Sequence, residues 1–212
     1  MISTGSFCVM KTSMESRPIE HHPLEPFLPE GAKILMLGSF PPKKERWSMD
    51  FFYPNFINDM WRIMGQIFFC DKNHFIAGNG GKRFDKEKCA GFAASAGIAM
   101  YDTACQVRRL KDNASDKFLE VVKPTDLEAL LEKIPQCQAI ITTGQKATDV
   151  IVETFGCLEP SVGEYENISV HGRNIRFWRM PSSSRAYPLA LEKKAAFYAK
   201  MFEKEGLHTD NQ

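Results

Sequence analysis

Two short segments of the sequence combine residue types that could bind a ligand and hold it in place. Residues 33–42 read Lys-Ile-Leu-Met-Leu-Gly-Ser-Phe-Pro-Pro, and residues 177–185 read Phe-Trp-Arg-Met-Pro-Ser-Ser-Ser-Arg. Each segment has the pattern of an apolar strand that ends abruptly in a turn, and open α/β sheets place their ligand crevices at such strand ends. Serine hydroxyls and backbone N–H groups in such a turn can hydrogen-bond to phosphate groups.

The elements that must position these turns alternate between strands and helices. Apolar runs bounded by turns predict strands over 33–38, 98–103, 139–142, 168–170 and 175–178. Apolar residues at helical spacing predict helices over 57–69, 89–96, 125–132, 145–155 and 189–203. The alternation predicts a three-layer α/β/α sandwich around a mostly parallel sheet of about four strands.

Two of the predicted helices carry further detail. The helix over 57–69 would place Ile57, Met60 and Trp61 on its packed face. The helix over 125–132 would begin with Thr125 as its N-cap.

The length and composition of the chain fit one globular domain, with 212 residues of which 43% are apolar and 25% charged. We expect an extended, partly disordered segment over 1–30, a single domain over 31–205 and a tail over 206–212. No run approaches the ~18 apolar residues of a membrane span, and residues 1–30 do not resemble a signal peptide. These features predict a cytoplasmic protein without a membrane partner, and we expect it to be a monomer.

The cysteines and histidines do not form a metal-ligand pattern. None of the six cysteines belongs to a Cys-x-x-Cys pair, although zinc and iron–sulfur sites usually contain a close pair. We therefore expect reduced, mostly buried thiols. His21 and His22 lie among prolines with no partner nearby. We expect no metal and no organic cofactor.

Positive charge is concentrated in three clusters, although the formal net charge is +1. The clusters are Lys43, Lys44 and Arg46, then Arg108, Arg109 and Lys111, and finally the arginines at 173, 176, 179 and 185. Taken singly, each is typical of a solvated surface. Because each follows a predicted strand end, the three together predict one basic face that could bind a phosphate backbone.

Three motifs of other enzyme classes are incomplete or absent. Residues 78–83 read Gly-Asn-Gly-Gly-Lys-Arg, but Arg83 stands where a phosphate-binding loop needs Ser or Thr for magnesium. The sequence has no Gly-x-Ser-x-Gly elbow and no Gly-x-Gly-x-x-Gly after its first strand. These findings argue against a P-loop enzyme, a serine hydrolase and a dinucleotide-binding domain.

Ordered motifs over roughly 33–200 resemble the uracil-DNA glycosylase superfamily, most closely its hypoxanthine-DNA glycosylase and mismatch-specific branches. Residues 38–41 resemble the Gly-Ser-Phe-Pro start of the hypoxanthine branch, and Asn58 with Trp61 resembles its Asn-x-x-Trp helix opening. Residues 97–102 resemble its Gly-Ile-x-x-Trp-Asp segment. Residues 143–147 resemble its Asn-Gly-x-Lys-Ala turn.

Residues 180–185 resemble the Pro-Ser-rich second motif of the same branch. Two positions depart from the mismatch-specific branch. Phe40 stands where the mismatch-specific branch has the Asn that places the attacking water, and Met180 stands where it has another Asn. Arg185 falls where the mismatch-specific branch carries the Arg of its wedge loop.

The resemblance implies a uracil-DNA glycosylase-like fold and a DNA glycosylase activity in base-excision repair. The substrate would be a deaminated base, uracil or hypoxanthine, in damaged double-stranded or single-stranded DNA. The enzyme would flip the nucleotide out, because the N-glycosidic bond cannot be reached inside the stack. Water would then attack C1′, without strand cleavage and without a cofactor.

The resemblance also assigns roles to particular residues. It implies catalytic roles for Asn58 and Asp102. It implies contacts with the flipped base for Gly38, Ser39, Phe40, Phe52 and Tyr53. It implies DNA contacts for Pro181, Ser182, Ser183, Ser184, Arg185 and Lys146.

Each assignment has a structural alternative. Asn58 would be a helix N-cap, Asp102 would cap the next helix, and Trp61 would belong to the core. Two alternative functions stay open for the whole chain. One is a non-catalytic nucleic-acid-binding relative, an alternative that Phe40 in place of Asn favours. The other is an α/β domain that binds a small nucleotide. In each case we expect one crevice at the predicted strand ends, which are Gly38, Thr103, Thr143 and Met180.

Overall fold

The computed structural model describes residues 17–78, 81–111 and 118–207. The strands are β1 Glu20–His21, β2 Ile34–Gly38, β3 Ile98–Asp102, β4 Ala104–Arg109, β5 Leu119–Pro124, β6 Ala139–Thr142, β7 Tyr165–Val170 and β8 Arg173–Arg179. The helices are α1 Met60–Phe69, α2 Lys86–Ser95, α3 Leu127–Lys133, α4 Gln145–Phe155 and α5 Leu191–Lys204, with a 3-10 turn at Lys44–Arg46. Among these elements, no helix combines the length and the apolar character needed to cross a membrane.

Some sequence-based expectations fall on residues outside the described ranges. The first part of the expected lead-in segment (1–16) is one of them. Two residues of the glycine-rich loop (79–80) and most of the expected tail (208–212) are the others.

A five-stranded sheet with the order β3-β2-β6-β8-β7 forms the centre of the domain. Its first four strands are parallel to one another, and β7 pairs antiparallel with β8. The mostly parallel sheet is confirmed. It has one strand more than the expected four, because the predicted strand over 168–170 joins this sheet as β7 through the hairpin around His171.

Helices cover both faces of this sheet, which confirms the three-layer α/β/α sandwich. Every residue of β2, β3 and β6 is buried, as their continuous apolar runs require. On one face α1, α2 and α5 meet, and the ring centroid of Phe68 lies 4.9 Å from that of Phe92 and 5.2 Å from that of Phe202. Right-handed connections place α3 and α4 on the other face.

The start of α1 differs from the prediction and changes the position of Ile57. The helix begins at Met60 rather than at residue 57, because Oδ1 of Asn58 accepts the Met60 N–H at 2.8 Å and turns the chain into the helix. Ile57 therefore lies before the helix and is 54% exposed instead of packed. Trp61 is fully buried, as predicted for a core residue.

The start of α3 also differs, whereas α4 has the predicted bounds. The N-cap of α3 is Asp126 rather than Thr125, and the Asp126 carboxylate accepts a first-turn N–H at 3.0 Å. The hydroxyl of Thr125 donates instead to the backbone carbonyl of Asp102 at 2.7 Å.

A second, antiparallel sheet with the order β1-β4-β5 was not predicted. Arg108 and Arg109, expected to follow a strand end, lie within β4. Two register shifts interrupt the pairing of β4 with β5, so the sequence lacks the regular alternation that marks a half-buried strand.

The described part of the expected lead-in segment packs on the domain. β1 pairs with β4. Further along, Phe27 and Met100 exchange two backbone hydrogen bonds of 3.0 and 2.9 Å. Residues 17–30 thus contact both sheets.

Candidate active site

The carboxyl ends of the parallel strands lie side by side at one edge of the central sheet. The N–H of Thr103 donates to the backbone carbonyl of Gly38 at 2.9 Å, and that of Thr143 donates to the carbonyl of Leu37 at 3.1 Å. The N–H of Met180 donates to the carbonyl of Thr142 at 2.9 Å. The expected meeting of the four strand ends is confirmed.

A cleft of about 660 Å³ opens at this edge. Most of the predicted site residues line it, namely Gly38, Ser39, Phe40, Phe52, Tyr53, Asn58, Asp102, Ser182, Ser183, Ser184 and Arg185. Pro181 is buried beneath the serine turn, where its carbonyl accepts the Tyr198 hydroxyl at 2.9 Å. Lys146 is half-buried in the first turn of α4 and is not part of the cleft wall.

Asp102 and Gly38 form the floor of the cleft. The Asp102 residue is 8% exposed, and its Oδ2 lies 2.8 Å from Nε2 of His22. A Cβ atom at position 38 would lie 2.3 Å from Oδ1 of Asp102, so the carboxylate needs the glycine beneath it. No donor to Oδ1 is found in the described part of the chain, which leaves this oxygen available to a ligand.

His22 is a site residue that the sequence analysis missed, and the expectation that it has no partner is wrong. Its side chain is 2% exposed. Nδ1 lies 2.8 Å from the carbonyl oxygen of Leu24. The centroid of the imidazole ring lies 4.5 Å from the ring centroid of Tyr101 and 5.3 Å from that of Phe40. The ring therefore has one orientation, in which Nε2 meets Asp102. The aspartate at a strand end was the available sequence signal, but nothing in the pattern named its partner.

The three predicted aromatic residues differ in their surroundings. Phe40 and Phe52 are 8% and 4% exposed, so they form walls of the cleft rather than project freely from a loop. Tyr53 is less buried and has a φ of 52°, a strained conformation for a residue with a side chain. Its hydroxyl lies 3.2 Å from Oγ1 of Thr143. Burial of the hydroxyl raises its pKa above the ordinary value of a tyrosine.

Asn58 lies one residue before Asp59, the N-cap of α1, so it is not the predicted N-cap, and it lines the cleft. Its Oδ1 is engaged by the N–H of Met60. Its amide nitrogen has no acceptor among the residues described. Asn58 therefore presents a donor, rather than its bonded oxygen, to a ligand.

The serine turn is held against the loop that precedes α1. The N–H of Asp59 donates to the Ser183 carbonyl at 2.8 Å, and Asn58 and Ser184 form an isolated antiparallel bridge. Within the turn, Oγ of Ser182 accepts the Ser184 N–H at 3.2 Å. The Asn-x-x-Trp motif that begins at Asn58 and the serine motif are thus in direct contact.

A buried ion network fixes the same junction. Oδ1 of Asp59 accepts a hydrogen bond from Nε of Arg185, and Oδ2 accepts one from Nζ of Lys194, both at 3.0 Å. Lys194 also donates to the Ser184 carbonyl at 2.8 Å. The Lys194 side chain is 1% exposed, whereas that of Arg185 is 48% exposed. The lysine is therefore a permanent part of the structure, and the arginine can exchange with solvent.

The predicted single basic face forms only in part, since one arginine of each cluster lines the cleft and the other arginines of the third cluster do not. Arg173 donates to carbonyls at the opposite end of the sheet, including that of Leu131 at 2.9 Å. Arg176 and Arg179 pair with Glu205 and Glu159 at 2.7 and 2.6 Å. The cationic side chains that line the cleft are Arg46, Arg109 and Arg185.

The described cysteines are unpaired thiols. Cys89 and Cys137 are buried, Cys105 and Cys157 are half-buried, and Cys70 is exposed, so burial is less general than expected. Cys8 lies outside the described ranges. Within the three described ranges, no group of three or more His, Cys, Asp or Glu side chains could hold a metal ion.

A comparison with solved structures finds this fold in an NMR structure of a candidate uracil DNA glycosylase from Methanosarcina acetivorans. The TM-score is 0.59 and the sequence identity is 20%, over 89% of this chain and 99% of that chain. No family model and no curated protein sequence matches the chain. At this identity the likeness concerns the fold, and the chain has a uracil-DNA glycosylase-like α/β/α fold.

Proposed function

We propose that the protein is a DNA glycosylase of the uracil-DNA glycosylase superfamily that removes a deaminated base, uracil or hypoxanthine, from damaged DNA. The observation that carries the proposal is the cleft at the strand ends, which combines the buried carboxylate of Asp102 with aromatic walls. The fold likeness supports it. The motifs that resemble the hypoxanthine-DNA glycosylase branch contribute residues to this cleft from separate parts of the chain, which favours that branch.

The size of the cleft supports a substrate of one nucleotide. Its volume of about 660 Å³ falls within the usual range of small-ligand sites, roughly 300–1,000 Å³. A base inside a duplex would have to leave the stack to enter it. Gly38, Ser39, Phe40, Phe52 and Tyr53 would then contact the base, with rings stacking on it or packing at its edge.

The chemistry requires one bond to form and one to break. The oxygen of a water molecule bonds to C1′, the bond from C1′ to the base nitrogen breaks, and its electron pair leaves with the base. The sugar becomes positively charged in the transition state. Asp102, with Oδ1 free of described donors, would stabilise this charge and accept the proton of the water. The amide nitrogen of Asn58 would hydrogen-bond to the water or to the departing base.

The DNA backbone would lie along the rim formed by the serine turn. Ser182, Ser183 and Ser184 would contact phosphates through hydroxyl and N–H groups, and Arg185 would add a charge. Lys146 would contact the flanking strand from outside the cleft. Pro181 is buried, so it would support the turn.

The cleft composition favours a monofunctional enzyme. A lyase needs an amine that can attack C1′, and no lysine lines the cleft in the described part of the chain. Strand cleavage would therefore appear only after alkali opens the abasic site.

The test is a single-turnover assay on labelled oligonucleotides that carry uracil, hypoxanthine, xanthine or a mismatched thymine, each in duplex and single-stranded form. We expect excision of uracil or hypoxanthine, visible as strand breaks after alkali treatment only. Asp102→Asn serves as the inactive control. If the wild-type protein binds an abasic-site duplex but excises none of these bases, the chain is the non-catalytic relative instead.

A further inference from the structure

Ile57 stands at the mouth of the cleft as an exposed apolar residue on a turn. Its side chain contributes to the cleft wall, and the residue is 54% exposed. Single exposed apolar residues are ordinary on protein surfaces, so exposure alone carries no meaning. The surroundings of Ile57 distinguish it.

The backbone on both sides of Ile57 is fixed by a buried guanidinium. Arg62 is 7% exposed and donates to the carbonyls of Phe56 at 2.7 Å and Asn58 at 3.2 Å. Its guanidinium also lies over the Phe56 ring, 4.5 Å from the centroid. The residues before and after Ile57 are therefore held by one side chain.

Asn55 closes the same turn from the other direction. Its Oδ1 accepts the N–H of Ile57 at 3.1 Å, and its backbone carbonyl accepts the N–H of Asn58 at 2.8 Å. The bridge from Asn58 to Ser184 ties the turn to the serine loop. Ile57 is thus presented by a rigid backbone while its side chain remains in solvent.

The other large apolar residues that are exposed in the described part of the chain do not share this position. Ile19, Phe69, Val122 and Leu158 are at least 37% exposed, and none of them lines the cleft. In the adjoining serine loop, residues 182–186 are Ser, Ser, Ser, Arg and Ala. The next two residues, Tyr187 and Pro188, also line the cleft, but Tyr187 is partly buried and the ring of Pro188 is tied to its own backbone. Arg185, which by resemblance belongs to the wedge loop, is paired with Asp59.

We propose that Ile57 enters the base stack of duplex DNA and fills the space left by the nucleotide that moves into the cleft. The inference rests on the proposed function and adds the residue that stabilises the opened duplex. Nucleotide extrusion leaves unstacked apolar base faces, and an inserted apolar side chain offsets part of that loss. A β-branched side chain on a fixed backbone has few rotamers to lose when it inserts.

The experiment compares Ile57→Ala, Ile57→Leu and the matched control Leu158→Ala, which shortens an exposed apolar residue outside the cleft. Single-turnover rates are measured on one lesion in a fully paired duplex and in a single strand. We expect Ile57→Ala to lower the ratio of duplex rate to single-strand rate by about 10- to 100-fold. Ile57→Leu should keep most of the ratio, and Leu158→Ala should match the wild type.

A second readout separates this inference from the proposed function. 2-Aminopurine beside an abasic-site analogue in a duplex becomes more fluorescent when the stack opens, whether or not the protein cleaves a base. The wild type and Leu158→Ala should raise the fluorescence, and Ile57→Ala should raise it much less. Equal fluorescence for all three proteins, or equal loss of rate on duplex and single strand, would overturn the role of Ile57. Failure of the wild type to excise any base would count against the proposed function alone.

Discussion

Nε2 of His22 lies 2.8 Å from Oδ2 of Asp102, although 80 positions separate the two residues in the chain. The contact joins the segment after β1 to the end of β3 on the floor of the cleft. A carboxylate withdrawn from water needs a hydrogen-bond donor or a positive charge, and the imidazole ring meets this need. It also determines which carboxylate oxygen remains for a ligand.

Asp102→Asn should lower single-turnover cleavage by about 10²- to 10³-fold, because a neutral amide neither accepts a proton from water nor stabilises a cationic sugar. His22→Leu should cause a smaller loss and His22→Gln a smaller one still, since Gln keeps a donor for Asp102. Rates on the best substrate, with affinity for an abasic-site duplex, measure both effects. Asp50→Asn is the matched control, because Asp50 is exposed and pairs with Lys44 outside the cleft. Wild-type rates for Asp102→Asn would remove the carboxylate from the mechanism.

Gly38→Ala tests the close approach between β2 and the same carboxylate. The added Cβ would meet Oδ1 of Asp102 at 2.3 Å, so the carboxylate must move, and we expect a loss of activity close to that of Asp102→Asn. Gly91→Ala is the control, since a Cβ there meets nothing within 4 Å. In the interior of α2 this change should raise the free energy of unfolding by roughly 0.5–1 kcal/mol. Full activity in Gly38→Ala would show that Asp102 can shift without consequence.

The strand ends could be predicted because their signals are local. In β2 and β6 a continuous apolar run stops at a Gly- or Thr-containing turn, and both features lie within a few neighbouring residues. The parallel pairing of these strands follows from the helices between them. Most of the cleft wall was therefore accessible from the sequence.

The charged contacts of the site could not be predicted, because they depend on packing between distant segments. Lys194 lies in a helix between polar and small residues, and nothing local distinguishes it from Lys193, which is exposed. Its burial follows from the approach of α5 to Asp59. His22 is similar, since its place depends on β1 pairing with an irregular strand.

The wild-type protein should lose stability as the pH rises above about 9, because burial raises the pKa values of the Cys89 and Cys137 thiols and of three tyrosines. Burial raises the pKa of Tyr101 to about 12, from 10.0 in an unfolded chain, and it also raises the pKa values of Tyr53 and Tyr198. Above about pH 9 the unfolded state releases protons that the folded state retains, so the free energy of unfolding falls with pH. Urea titrations at pH 9, 10 and 11 measure the slope. Tyr198→Phe removes one of these groups and should make the slope shallower, and an unchanged slope would contradict the assignment.

Asn58 can be tested with two substitutions that separate its two roles. Asn58→Asp keeps an oxygen for the Met60 N–H but removes the free amide donor, whereas Asn58→Ala removes both. If the donor takes part in the reaction, both variants should cleave about 10²-fold more slowly or worse. Thermal unfolding shows which variant has lost the contact with the Met60 N–H. Normal activity in Asn58→Asp, with lower stability and activity only in Asn58→Ala, would reduce Asn58 to a residue that holds the turn before α1.

Arg185 and Lys194 share one carboxylate, yet the substitution of Lys194 should mainly affect stability and that of Arg185 mainly DNA binding. Lys194→Met removes the buried partner of Asp59 and should lower the free energy of unfolding by about 3–5 kcal/mol. Arg185→Ala should lower it by less than about 1 kcal/mol, because the arginine is half exposed and Lys194 still balances the charge. The loss in Arg185→Ala should appear in DNA binding instead. If the guanidinium leaves Asp59 for a phosphate, the slope of log affinity against log salt should fall by about one contact. Urea unfolding and salt titrations of duplex binding measure the two effects. A large loss of stability in Arg185→Ala with an unchanged salt slope would mean that the arginine stays on Asp59 when DNA binds.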